Sequence, residues 1–361
     1  REEGRRIHVG QFMHTPFFNI HEIQGLLRED KRRRIRGDRF DPFPESIETV
    51  LKKLTWGMLA NDFIGFHHKE YCDNYLEALQ EWFPRYHVTI RQRAQFYEVS
   101  HPNGITTLGV FPIGLDVEKI LAAIRDDQPL AHRHGAEELQ EMMQNDRRRG
   151  RYIFGGLERC DYTKGLIARL GIFASALTRL RHGKRKPADA RLYQVAAPSR
   201  VDNPDYRNLE TVVSEQVRLR NEELRTDFEP IVHLDQGIPP PENYRFMREV
   251  DVMLVTPLED GMNLVALEYV LSQKDRANRG LLGLGRCGAA RVLQSAGFKE
   301  EDGVVYVDPL KEESAGARIV ESLRRGVSIS DRLIEYVEQE FRVDAWAQKN
   351  IDAIVSCRKR H

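Results

Sequence analysis

The chain has 361 residues, 41% of them hydrophobic and 30% charged, with 55 basic side chains balanced by 55 acidic ones. That length gives room for two globular domains, and the zero net charge excludes a global field that would draw the molecule to nucleic acid or to a membrane surface. Cys72, Cys160, Cys287 and Cys357 stand far apart with no CxxC pair, which excludes a zinc or redox signature and fits reduced thiols in the cytoplasm.

Residues 7–13 alternate weakly in polarity and predict a strand, followed by a loop at His14-Thr15-Pro16-Phe17. The charged stretch 19–42 predicts a mobile loop or short helices. Ile47, Val50, Leu51, Leu54 and Leu59 recur near helical spacing, so 44–59 predict a helix. A short strand at 61–66, a helix at 68–82, a strand at 107–112 and a helix at 115–124 follow. Residues 126–151 are polar and predict a surface helix plus a linker. The boundary between two domains, 1–150 and 151–361, is placed near its end.

A second series starts with a strand at 152–156. It continues with a helix at 166–180, a strand at 191–197, a long amphipathic helix at 206–225, a strand at 230–234 and a helix at 242–250. A strand at 252–255, a helix at 264–271, a strand at 280–284, a helix at 289–295 and a strand at 304–307 come next. Helices at 313–325 and 328–357 close the chain. Strands alternating with helices predict an α/β fold with parallel sheets. The basic runs at 31–34, 147–149 and 181–186 read as solvated faces. No apolar run approaches a transmembrane span, and the opening Arg1-Glu2-Glu3-Gly4-Arg5-Arg6 lacks the apolar core of a signal peptide.

In open α/β sheets, ligands sit beyond the carboxyl ends of strands. Several polar groups fall there. Arg159 and Lys164 lie five apart across a loop-to-helix junction, in Glu158-Arg159-Cys160-Asp161-Tyr162-Thr163-Lys164-Gly165. Both suit a diphosphate, whose charge grows as it departs; both also suit an ordinary surface near a helix start. Asp260, Gly261, Met262 and Asn263 form a turn before Leu264 and Val265. It reads either as a ligand-gripping turn, with Gly261 supplying positive φ, or as a plain turn and helix cap. Glu268, one turn on, is either a solvated carboxylate or a bidentate acceptor for ribose hydroxyls. His14 follows a strand and reads either as structural or as catalytic; Arg200 ends a strand-to-loop segment, where its fork suits a phosphate or an ordinary surface near Asp202 and Asp205. Gly285-Arg286-Cys287-Gly288-Ala289-Ala290 offers further amides to a phosphate, as a weaker signal. No Asp-x-Asp motif suited to holding a metal is present.

Taken together, these stretches resemble the trehalose-6-phosphate synthase family of retaining glycosyltransferases, including its glucosylglycerol-phosphate synthase and pseudo-glycosyltransferase relatives. The likeness is carried by 12–17, 62–67, 111–114, 158–165, 197–200 and 256–270, in the family's order. It departs at Cys160, where leucine is usual, at Leu267, where lysine is common, and at 286–293.

The resemblance implies two facing Rossmann-like domains of GT-B type, the N-terminal one incomplete. It implies a catalytic set of His14, Arg159, Lys164 and Asp260, with Arg159 and Lys164 on the donor diphosphate. Gly261, Met262, Asn263, Leu264 and Val265 would hold the donor sugar and phosphates, and Glu268 the ribose. His14 would contact the transferred glucose, and Arg200 the acceptor's phosphate. The implied donor is UDP-glucose or GDP-glucose, without metal or other cofactor. Glucose 6-phosphate is the leading acceptor, with glycerol 3-phosphate and phosphorylated cyclitols as alternatives. Transfer by the front face needs no protein nucleophile. A homo-oligomer stays open, as does a catalytically silent relative that binds nucleotide or sugar phosphate for regulation.

Overall fold

The computed structural model describes residues 9–36, 45–86, 88–93, 96–125, 136–182 and 188–358. The expected strand residues 7 and 8, loop residues 37–42, helix residue 44, linker residues 126–135, basic residues 183–186 and the side chain of Cys357 lie outside the description. The chain forms two compact units, Arg1–Ile113 with Asp344–His361, and Gly114–Val343.

The first unit carries five strands: β1 (Gly10–Met13), β2 (Phe63–Phe66), β3 (Thr89–Arg93), β4 (Phe96–His101) and β5 (Gly104–Val110). Their order is β1-β2-β5-β4-β3. β1, β2 and β5 are parallel, with Gly10 opposite Phe63 and Phe63 opposite Thr107. β4 and β3 add an antiparallel edge. The periodic pattern did not announce that hairpin, because β3 is Thr-Ile-Arg-Gln-Arg and almost wholly exposed. Helices α1 (Gln24–Arg36), α2 (Ile47–Met58) and α3 (Lys69–Trp82) belong to this unit. Ser46 caps α2 by accepting from Thr49 N at 3.2 Å. Phe17, Ile64, Phe66, Tyr75 and Leu108 form the core. The C-terminal helix, Val343–Arg358, joins it through Ala353, which packs with Phe63 and Phe111, and through Trp346 Nε1, which donates to Phe111 O at 3.2 Å.

The second unit carries β6 (Tyr152–Arg159), β7 (Ala190–Ala197), β8 (Ile231–Leu234), β9 (Val252–Val255), β10 (Leu281–Leu284) and β11 (Val304–Tyr306). All are parallel, in the order β11-β10-β9-β6-β7-β8. This is the doubly wound order of a dinucleotide-binding sheet. Its helices are α4 (Val117–Arg125), α5 (Ala136–Arg148), α6 (Leu166–Arg181), α7 (Pro204–Leu224), α8 (Glu242–Glu249), α9 (Leu264–Ser272), α10 (Gly288–Ser295), α11 (Glu312–Arg324) and α12 (Asp331–Glu340). β9 and β10 are buried at every residue, which explains their unbroken apolar runs. Phe154, Phe173, Leu192, Leu254 and Ile319 centre the core.

The units divide elsewhere than the expected boundary near residue 150. α4 packs on α8 and α9, and α5 packs on β6. Asp146 of α5, fully buried, accepts from Arg151 Nη1 and Arg191 Nη1, each at 3.0 Å, and from Tyr193 Oη at 2.7 Å. That polar clasp fastens residues 136–151 to the second sheet. The closing helix expected at 328–357 is two helices. Phe341 is buried at the break, and the main chain there turns to pair with Leu115, whose N–H donates to Phe341 O at 2.7 Å.

Candidate functional site

The second sheet reverses its winding between β6 and β9: the chain leaves β6 towards β7 on one side and leaves β9 towards β10 on the other. A crevice opens beyond the carboxyl ends of two such strands. A cleft of about 280 Å³ lies there. Its polar lining is Glu158, Arg159, Lys164, Asn263 and Glu268; Ile238, Leu264 and Val265 supply apolar wall.

The loop after β6 is built to approach the loop after β9. Asp161 accepts from Thr163 N at 3.1 Å and caps the single 3-10 turn Tyr162–Lys164. Gly165 then enters α6 at φ 63°, where a Cβ would stand 2.0 Å from Thr256 O. A glycine is required for both reasons. Leu258 N donates to Thr163 O at 2.8 Å, stitching the loops together. Lys164 Nζ thereby reaches Asp260 Oδ2 at 2.5 Å.

The turn after β9 is braced from the other side. Asp260 N donates to Arg286 O, Gly288 N to Asp260 O and Ala289 N to Met262 O, at 3.1, 3.2 and 2.9 Å. The Gly288 and Ala289 amides, expected to face a phosphate, are spent on this brace. The left-handed residue of the turn is Asn263, with φ 65°, rather than Gly261. Asn263 does not cap α9. Its Nδ2 donates instead to Asp260 Oδ2 at 3.1 Å and to Glu158 Oε1 at 3.4 Å. The first turn of α9 therefore carries no side-chain cap, and its Leu264 and Val265 line the cleft. Such a helix start favours an anion through its orphan amides and dipole.

Gly261 and Met262 are buried and outside the cleft lining. Arg159 is exposed at the cleft. Burial pushes the Glu268 carboxyl up to about 7. Burial also pushes Glu158 above the ordinary carboxylate range, with the Arg169 guanidinium pulling against it. Arg169 and Gln194 escaped the sequence reading. The available signals were a lone arginine within the apolar face Leu166–Phe173 and a lone glutamine within the buried strand β7.

Arg200 is not among the cleft residues. It is exposed, at φ 49°, with its guanidinium 5.1 Å from the Tyr206 ring centre. His14 belongs to the first unit, exposed after β1, with its ring 5.0 Å from Phe12 and 5.3 Å from His67. His67 is buried and accepts from Ile113 N at 3.3 Å through Nδ1; burial, then His14, pushes it down to about 3. Among the described residues, no three His, Cys, Asp or Glu side chains gather as a metal site, and no helix is long and apolar enough to cross a membrane.

Comparison with known proteins adds relatives to this geometry. A trehalose-6-phosphate synthase of Mycobacterium leprae is 34% identical over 331 residues, covering 88% of this chain and 62% of the relative. One of Mycobacterium ulcerans is 33% identical over 333 residues, with the same coverage of 88% and 62%. The chain thus spans about three fifths of the length of these curated relatives. Among solved structures, a UDP-forming α,α-trehalose-phosphate synthase from Burkholderia xenovorans superposes with TM-score 0.74 at 24% identity, over 98% of this chain and 70% of that one. A second, in complex with glucose-6-phosphate, gives 0.72 at 20% identity, over 97% and 69%. These structures carry the fold, α/β with Rossmann-like units of GT-B type. The sequence model of glycosyltransferase family 20 matches residues 42–354, most of the chain, and the chain belongs to that family.

Proposed function

We propose that the cleft of the second unit binds a nucleotide sugar, and that the protein transfers its glucose, with retention, to a phosphorylated acceptor. Glucose 6-phosphate, giving trehalose 6-phosphate, is the acceptor that best fits the names of the relatives. The observation that carries this reading is the meeting of Lys164, Asp260 and Asn263 beside Arg159 and the uncapped start of α9.

A departing nucleoside diphosphate gains negative charge as the glycosidic bond breaks. Lys164, Arg159 and the α9 amides are donors that meet the bound diphosphate before that charge develops, so they favour the transition state over the ground state. In this reading they supply the positive charge that a divalent cation would otherwise bring, and no metal is required. Asp260 and Asn263 face the donor sugar, and Glu268 takes the ribose hydroxyls. Arg200 takes the acceptor's phosphate, and His14 the transferred glucose. The donor is UDP-glucose or GDP-glucose. The acceptor's hydroxyl attacks on the face that the diphosphate leaves, and a diphosphate oxygen takes its proton.

The test is product analysis with isotopically labelled UDP-glucose or GDP-glucose and glucose 6-phosphate, followed by NMR at the anomeric carbon. The expected product is an α,α-linked disaccharide phosphate plus nucleoside diphosphate, unaffected by a chelator. An inverted anomer would exclude the chemistry. Failure of the chain to bind any nucleoside diphosphate would exclude the site.

A further inference from the structure

One wall of the cleft carries a charged pair that the proposed transfer leaves unused. Glu158 Oε1 is 2.9 Å from Arg169 Nη2, with side-chain exposures of 2% and 0%. Arg169 Nη1 donates to Gln194 Oε1 at 3.1 Å. The guanidinium lies against β6 only because residue 156 is glycine: a Cβ there would stand 2.6 Å from Arg169 Cδ and Nη1. A buried ion pair of this kind contributes little net stability, since desolvation offsets most of the attraction. Its position directly under Asn263 gives it another use.

We propose that Glu158, acting through Asn263, is a positioning residue that fixes the Asp260 turn when a donor phosphate draws Lys164 away. This inference rests on the donor-site reading above. An amide NH2 has two hydrogens. Asn263 spends one on Glu158 Oε1 and the other on Asp260 Oδ2. The Lys164 ammonium sits on the same Asp260 oxygen. A diphosphate in the cleft competes for that ammonium, and Asp260 would tend to follow its counter-ion. The Asn263 amide, anchored on a carboxylate that Arg169 holds in place, keeps Asp260 where it is. Lys164 then moves to the phosphate alone, and the turn stays preorganised for the sugar.

The test replaces the pair by apolar side chains, Glu158→Met with Arg169→Met, and measures melting temperature together with UDP and GDP binding by calorimetry. A buried pair exchanged for packed hydrophobes is often neutral in stability, so the fold is expected to melt within a few degrees of the parent. The affinity is expected to fall about tenfold, the scale of one lost hydrogen bond to a charged group. In an Asn263→Ala background the same double change should alter affinity by less than about twofold, because residues acting in series do not add. Equal affinity in the parent and the well-folded double variant overturns the inference, as does full additivity with Asn263→Ala. If the parent itself binds neither nucleotide, the donor-site reading fails and the inference falls with it. If the apolar pair fails to fold, Asn263→Asp carries the same test, since a carboxylate has no hydrogen to donate to Glu158 or Asp260, and unchanged affinity in that folded variant overturns the inference.

Discussion

The two units share a construction, parallel strands alternating with helices, yet among the described strands the second alone reverses its winding between neighbouring parallel strands. In the first sheet, β1, β2 and β5 run in one direction of winding, and an antiparallel hairpin completes the sheet. In the second, the winding reverses between β6 and β9. A reversal leaves two neighbouring strand ends uncovered by a crossover, and Glu158, Arg159, Lys164, Asp260 and Glu268 converge there. The first unit offers His14 and His67 after strands, without such a crevice among its described strands. Topology thus decides where polar side chains can converge, and sequence decides which ones do.

The comparison is broken most severely at the junction that closes the crevice. Gly165→Ala places a Cβ 2.0 Å from Thr256 O at a φ of 63°. Backbone strain and the forced parting of the two loops should cost about 3 kcal/mol or more. Thermal unfolding should show the loss, and nucleoside diphosphate binding should vanish. A variant that melts and binds like the parent would mean that the two loops do not need this closeness.

Next in size is the charge itself. Lys164→Ala should weaken nucleoside diphosphate binding by about 1.5–3 kcal/mol, one charge-assisted contact. His14→Ala, in the first unit, should leave that affinity within about twofold, well below the cost of one such contact, while slowing transfer of glucose. Calorimetry and initial rates separate the two. Equal losses of diphosphate affinity in both variants would erase the division of labour between the units.

Much of this was legible in the residues, for physical reasons that differ between the units. Strands buried on both faces, such as 252–255, announce themselves as apolar runs bounded by turn residues. The β3–β4 hairpin did not, since an exposed edge strand needs no apolar alternation. The break at Phe341 was hidden because both flanking helices keep apolar spacing, and only pairing with Leu115 marks the stop. At the site, Lys164, Asp260 and Asn263 were expected from their place after strands, and the structure brings them into contact. The long-range partners of that cluster were not readable. Arg169 meets both Glu158 and Gln194, and no local pattern reports a tertiary hydrogen bond.

A smaller effect sharpens the electrostatics of the cleft. Burial raises the folded Glu268 carboxyl from 4.5 to about 7. A raised acid means that the native state holds a proton that the unfolded chain has released. Stability from this group is therefore fully present below about pH 4.5, declines as pH rises, and is lost above about pH 7. Glu268→Gln removes the slope. It should raise the melting temperature at pH 8 relative to the parent and leave it nearly unchanged at pH 4. Affinity for a ribose-bearing ligand should rise with pH through 7 in the parent, as the carboxylate becomes available, and stay flat in the variant. Equal pH slopes in the two proteins would refute the assignment.

The smallest expected effect concerns Arg200, and it bears on whether one unit's cleft serves the donor alone. The Arg200 guanidinium leans on Tyr206, whose hydroxyl is 3.4 Å from Asp161 Oδ2, and Tyr206 in turn meets Tyr162 edge-on. Arg200 is thus coupled to the loop after β6 by an aromatic contact, without standing in the cleft lining. A cation stacked on an exposed aromatic ring is worth about 0.5–1 kcal/mol. Arg200→Ala should therefore lower the melting temperature slightly and change nucleoside diphosphate affinity by less than about twofold, within that same small energy. If Arg200 takes the acceptor's phosphate, the KM for glucose 6-phosphate should rise while the KM for the donor holds. A fall in diphosphate affinity as large as that of Lys164→Ala would instead put Arg200 on the donor, and the cleft would have to be redrawn to include the loop after β7.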